Sequence, residues 1–88
     1  MSAAAVPAVA VRVLLFASYA ERLGLERIDA ALRPGATVAD ALAYLRALPG
    51  GSELPARPLC ARNLAHVRAD APLADGDELA VLPPLAGG

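Results

Sequence analysis

The chain carries one helical stripe of useful length, and that restricts its fold more than any other feature. Between Thr37 and Pro49, the residues Val38, Ala41, Leu42, Leu45 and Leu48 recur at three- and four-residue intervals and line one helix face. Thr37 stands at the N-cap position, and Asp40 sets a negative charge against the first-turn amides. Pro49-Gly50-Gly51 stops the helix. A helix of about three turns cannot bury its stripe alone, so the rest of the chain must form a surface to cover it.

The remaining segments read mostly as short strands. Val9–Phe16 is rich in β-branched residues, with Val9, Val11, Val13 and Leu15 on one face and Arg12, Leu14 and Phe16 on the other. Ser18 and Glu21 have capping-box spacing, which predicts a short helix over Tyr19–Leu23 closed by Gly24. Glu26–Leu32 alternates as a second strand, and Arg33-Pro34-Gly35 is a turn of type II composition. After the main helix, Ser52–Pro58 reads as a loop. Leu59–Arg62 and Ala65–Arg68 read as strands joined at Asn63-Leu64. Asp75-Gly76-Asp77 is a tight turn before a last strand, Glu78–Leu82, with Leu79 and Val81 inward. The expected fold is α+β: a mixed sheet of about five strands packed on one main helix.

With 88 residues the chain fits one domain and leaves little room for a deep internal active site. We expect residues 1–8 to form a leader, 9–82 the domain and 83–88 a tail. A net charge of -1 and 3% aromatic residues argue against a nucleic-acid partner, which asks for a basic face and stacking platforms. All eight basic residues are arginine, so no side-chain amine is available for a Schiff base or for self-conjugation. A single cysteine, Cys60, excludes an internal disulfide and fits a reducing cytoplasm. Cys60 and His66 alone do not make a zinc site. The apolar leader lacks a basic segment before it, and Arg12 interrupts the run. The uncharged stretch Val13–Ala20 falls far short of the ~20 residues that cross a bilayer. A cytoplasmic protein without a membrane partner is the expectation.

Beyond the last strand, Pro83-Pro84-Leu85-Ala86-Gly87-Gly88 can span up to ~20 Å when extended. The prolines stiffen its base, and Gly87 and Gly88 keep its tip thin and unrestricted. Such an end can be threaded through a narrow channel into another protein's active site. Its carboxylate can be activated by ATP as a mixed anhydride.

Three segments carry a resemblance. Val13-Leu-Leu-Phe-Ala-Ser-Tyr-Ala-Glu-Arg-Leu-Gly24, Pro72-Leu-Ala-Asp-Gly-Asp-Glu-Leu79 and Leu82-Pro-Pro-Leu-Ala-Gly-Gly88 resemble the ubiquitin-like sulfur carriers, in particular the molybdopterin synthase small subunits. With the helix after Thr37, the match covers Val9–Gly88. It implies a β-grasp fold and a carrier without catalytic side chains of its own. Gly88 would be adenylated by an E1-like activating enzyme using ATP and Mg²⁺, then converted to a thiocarboxylate by a sulfur donor protein. Its sulfur would pass to a cyclic pyranopterin monophosphate inside the large synthase subunit, within a heterotetramer. Gly87, Ala86, Leu85, Pro84 and Pro83 would thread the tail. Carriers for thiamine thiazole or for cysteine share this end and fold, as do protein modifiers attached to lysines; an interaction module with an inert tail is a further alternative.

Parity places Phe16 and Leu82 opposite the core, where they would form an apolar partner patch beside the tail, with His66 as its third member. The resembling family usually has an apolar residue at the position of His66. Cys60 reads as a small buried strand residue. Asp75-Gly76-Asp77-Glu78 lacks the ligand spacing of a calcium loop and reads as a turn.

Overall fold

A computed structural model describes residues 8–55 and 58–83 of the chain. The first strand, β1, runs Val9–Leu15, with Val11, Val13 and Leu15 buried as the alternation predicts. It ends one residue short of the expected boundary, because Phe16 becomes the residue before a helix. That helix, α1, spans Ala17–Leu23 rather than Tyr19–Leu23, and no side chain caps its start. The expected capping role of Ser18 is therefore overturned. Tyr19 N–H instead bonds the Phe16 carbonyl at 3.1 Å, and Ala17 takes a φ of 51° to turn the chain off the strand. Gly24 ends α1 in the left-handed conformation, as its position predicts.

Strand β2, Arg27–Leu32, returns antiparallel to β1, pairing Val13 with Ile28 and Val11 with Ala30. A turn closed by Ala36 N–H to the Arg33 carbonyl leads to α2, Val38–Arg46. Thr37 Oγ1 accepts from Asp40 N–H, and the Asp40 carboxylate accepts from Thr37 N–H at 2.8 Å, a reciprocal cap. Val38, Ala41, Leu42 and Leu45 are buried, while Leu48 is half-buried past the helix end. Where a plain loop is expected, Gly51–Glu53 forms a single 3-10 turn. Its position is fixed by close packing: a Cβ on Gly50 would lie 2.1 Å from the Arg22 carbonyl oxygen, and one on Gly51 1.9 Å from that of Leu45.

Strands β3, Leu59–Arg62, and β4, Ala65–Val67, form a hairpin whose turn residues Asn63 and Leu64 both have positive φ. Asn63 fits that conformation, and its side-chain oxygen accepts from Glu78 N–H at 2.9 Å, tying the hairpin to β5, Glu78–Leu82. The sheet order is β2-β1-β5-β3-β4, with β1 and β5 parallel at the centre and the other pairs antiparallel. One sheet face, through Val11, Val13, Leu15, Ala30, Leu32, Cys60, Leu79 and Val81, shares a core with the stripe of α2, with Tyr19 of α1 and with Leu54 and Leu73. Each large aliphatic side chain fully buried there contributes about 1.5–3 kcal/mol. The α+β arrangement expected from the sequence is thus the arrangement found.

Candidate functional site

The chemistry-bearing candidates divide by sheet face, and strand register fixes which of them meet. Leu15 pairs with Val81, so Phe16, next along an extended backbone, comes level with Leu82. Leu82 in turn pairs with Leu59 on β3. Phe16, Leu82 and Leu59 therefore form one transverse apolar row on the face turned away from the helices. Phe16 is 43% exposed and Leu59 46%, with half-buried Leu82 between them, so the row presents a local apolar patch. The next row runs Leu14, Ala80, Ala61 and His66, again by direct pairing. Beyond it the face becomes charged, with Arg12, Asp29 and Glu78 in a third row.

The structure brings Phe16 and Leu82 together. It sets exposed His66 on the same face but on edge strand β4, three strand spacings or about 14 Å from the β1 column. Leu59 belongs to the patch and was missed by reading the sequence. The signal was available: Cys60 inward makes Leu59 outward, but only the β5-β3 pairing shows that it adjoins Leu82. Beside Phe16 the surface opens into a cleft lined by Leu14, Phe16, Ala17, Ala20, Glu26 and Arg27.

The patch sits at the end of the sheet where β5 finishes. Pro83, half-buried, follows Leu82 directly. The tail positions Pro84, Leu85, Ala86, Gly87 and Gly88 lie outside the described residues, as do the leader residues 1–7.

Among the described residues nothing on the opposite face competes as a reactive centre. Cys60 is 4% exposed, packed between Val67 and Val81, and its Sγ lies 3.7 Å from the Pro58 carbonyl. Burial pushes its thiol up to about 11, so very little is thiolate at neutral pH. Tyr19 has a buried hydroxyl without a hydrogen-bond partner, and desolvation raises its pKa. The carboxylates of Asp75 and Asp77 are occupied by the backbone. Asp75 Oδ1 accepts from Ala10 N–H and Asp77 Oδ2 from Ala74 N–H, both at 2.8 Å. Among the described residues no group of His, Cys, Asp and Glu is arranged to hold a metal ion. No described helix is long and apolar enough to cross a membrane.

Residues 13–88 match the ThiS family model. The chain belongs to the ThiS family. It is a ubiquitin-like β-grasp protein of the sulfur carrier and modifier type. SAMP1 from Haloferax volcanii is 31% identical, superimposes with a TM-score of 0.76, and is matched over 90% of this chain and 99% of its own. A putative molybdopterin converting factor subunit 1 from Pyrococcus furiosus is 26% identical, with a TM-score of 0.76 and coverage of 88% and 99%. A complex of subunits 1 and 2 of the molybdopterin-converting factor from Helicobacter pylori contains a chain 25% identical, with a TM-score of 0.65 and coverage of 91% and 100%.

Proposed function

We propose that this ThiS-family chain is the sulfur-carrying subunit for molybdopterin formation, with Gly88 as the loaded residue. The observation that carries the proposal is the apolar row at the end of β5, with Phe16 and Leu59 exposed on either side of half-buried Leu82, adjoining the segment that leads to Gly87-Gly88. A carrier needs a surface that a partner can grip while its end is being modified. The Pyrococcus and Helicobacter similarities support the molybdopterin branch.

In this reading an E1-like enzyme uses ATP and Mg²⁺ to join the Gly88 carboxylate to AMP, releasing pyrophosphate. The terminal sulfur of a persulfide on a sulfur donor protein then attacks the acyl carbon and expels AMP, and a thiol cleaves the resulting sulfur–sulfur bond, leaving a thiocarboxylate on Gly88 and a disulfide. Phe16, Leu82 and His66 face the large synthase subunit in a heterotetramer, and Pro83, Pro84, Leu85, Ala86 and Gly87 lead Gly88 into its active site. The thiocarboxylate gives its sulfur to the cyclic pyranopterin monophosphate and returns to a carboxylate. The chain supplies the carried atom and its partners supply the catalytic side chains.

Loading is tested by intact mass after incubation with the activating enzyme, ATP and a sulfur source. A rise of roughly 16 Da, one oxygen replaced by one sulfur, is expected. Deleting Gly88, or adding one residue after it, should abolish that rise without altering the circular dichroism spectrum. No rise with an activator shown to be competent on another carrier would remove the proposal. The acceptor is then read from the dominant captured partner: a large synthase subunit here, a thiazole synthase or cysteine synthase for the other carrier branches.

The 31% identity to SAMP1, which belongs to the small archaeal modifiers, supports a second reading as a protein modifier attached through Gly88 to target lysines. Gly88-dependent conjugate ladders in cell extract would favour it. Because this sequence contains no lysine, it cannot extend itself through side-chain amines, and each modified lysine would carry a single copy.

A further inference from the structure

The sheet has an open edge that the carrier reading does not use. Among the described residues strand β2 pairs only with β1. The ladder alternates, and Leu15 N–H donates to the Glu26 carbonyl at 2.9 Å, which identifies 15 and 26 as a hydrogen-bonded pair. Continuing the register, Ile28, Ala30 and Leu32 direct their backbone groups toward β1. Arg27, Asp29 and Ala31 direct theirs away from the sheet, and none of these three bonds to any other described backbone group. Three of the six residues of β2 thus present backbone donors and acceptors unpaired among the described residues along one edge.

The side chains on that edge are self-complementary in one register. A two-fold antiparallel pairing of β2 with a second β2 must keep like faces together, so its centre falls on a residue rather than between two. Centred on Ile28, it sets Arg27 opposite Asp29 of the second copy, and Asp29 opposite its Arg27, through the free backbone groups. Centred on Asp29, it opposes that carboxylate with itself. Centred on Ala30, it brings Arg27 against Arg33. Centred on Ala31, it requires Arg33, which lies in the turn beyond the strand and already faces Asp40 at 3.4 Å. Only the Ile28 register gains two opposite-charge pairs at no like-charge cost. Asp29 is free to take part: its side chain is 81% exposed despite a 3.9 Å approach to Arg12. Arg27 makes no ion pair among the described residues.

We infer that two copies of this chain associate through antiparallel pairing of their β2 edges, centred on Ile28, to form a continuous ten-stranded sheet. The two-fold axis stands perpendicular to the sheet, so both Phe16–Leu82–Leu59 rows lie on the same side. Each row begins one strand from the seam, with Phe16 at the end of β1, runs away from it to Leu59 on β3, and lies on a sheet face rather than the paired edge, so it stays open to other partners. A single strand edge buries little surface, so the association is weak and dynamic, seen at high micromolar concentration and above. It depends on neither Gly88 nor the carrier reading.

Sedimentation velocity of the full chain over a dilution series tests it. The wild type should shift reversibly from monomer toward dimer with concentration. Arg27→Asp and Asp29→Arg each convert both opposite-charge pairs into like-charge pairs and should weaken association at least roughly tenfold. An equimolar mixture of the two variants restores both pairs and should associate about as well as the wild type. Monomer at every concentration, single variants that associate like the wild type, or a mixture no stronger than its components would each overturn the inference. Circular dichroism confirms that each variant is folded. Should Asp29→Arg lose its fold, Arg27→Asp alone decides, by whether it associates like the wild type or not.

Discussion

The two helices of this fold begin in opposite ways. At the start of α2 every early amide has a partner. Val38 N–H bonds the Ala71 carbonyl at 2.9 Å, and Ala39 N–H bonds that of Ala69 at 2.8 Å. Asp40 N–H bonds Thr37 Oγ1, and Ala41 N–H opens the helical ladder on the Thr37 carbonyl. At the start of α1 there is no side-chain cap, and a non-glycine residue, Ala17, sits in the left-handed region. The difference follows from what each start has to do. The start of α2 only anchors a helix against the sheet. The start of α1 must carry the chain from β1 into a helix on the core side while leaving Phe16 on the opposite face, level with Leu82. Local strain at Ala17 is the conformational cost of that reversal.

The largest test of this contrast lies where the two helices are joined. Gly50 follows α2 and rests on the Arg22 carbonyl near the end of α1, with a φ of 82°. An alanine there meets backbone at 2.1 Å and also carries the left-handed penalty. Gly50→Ala should destabilise by more than ~3 kcal/mol, as expected when neither side of a clash can yield. Gly24→Ala is its control. That residue has a φ of 69° but nothing within 4 Å of an added Cβ, so only the conformational penalty of about 1 kcal/mol applies. Urea midpoints should separate the two variants clearly. Equal losses would show that the packing between the helix ends is not what constrains them.

A smaller effect belongs to the capped start. Thr37→Ala should cost about 1 kcal/mol at neutral pH. The Thr37 backbone N–H, chiefly, holds the Asp40 carboxyl below the usual carboxylate range, with Arg33 and the Thr37 hydroxyl adding to it against partial desolvation. A depressed folded pKa means that this stabilisation is complete above the unfolded value, near ~3.9, and is lost as pH falls through the folded value. The stability gap between wild type and Asp40→Asn should therefore be open at pH 7 and shrink below about pH 4. A gap that held constant down to pH 2 would place the effect elsewhere.

The same two starts show what could be read from residues in order. The stripe of α2, its Thr37 cap and the inward parity of β1 and β5 are local patterns, and each was legible because each is decided within a few residues. Ser18 and Glu21 have the right spacing for a capping box too, yet the box does not form. Its formation depended on where β1 releases the chain, which the position of Phe16 against β5 decides. The bonds from Ala69 and Ala71 to α2 and the place of Leu59 beside Leu82 are likewise long-range, and no local pattern encodes them. Of the candidate site, Phe16 and Leu82 were legible by alternation. Their neighbour Leu59 needed the strand order.

The smallest effect is the most discriminating, because one substitution should have opposite signs in the two helices. Ala43 lies exposed on α2, and Ala43→Gly should cost about 1 kcal/mol through helix propensity alone. Ala17, at a φ of 51°, pays a left-handed penalty of about 1–2 kcal/mol that glycine does not. Glycine also enlarges the freedom of the unfolded chain, which returns about 0.4–1 kcal/mol of that gain. Ala17→Gly should thus stabilise by about 0.5 kcal/mol, visible as a higher urea midpoint at unchanged slope. If the strain serves to hold Phe16 outward, relieving it has a second consequence: the more adaptable corner lets Phe16 sample other directions, and partner capture weakens even as stability rises. A variant that is both less stable and equally well captured would mean that the turn at Ala17 is not what sets the direction of Phe16.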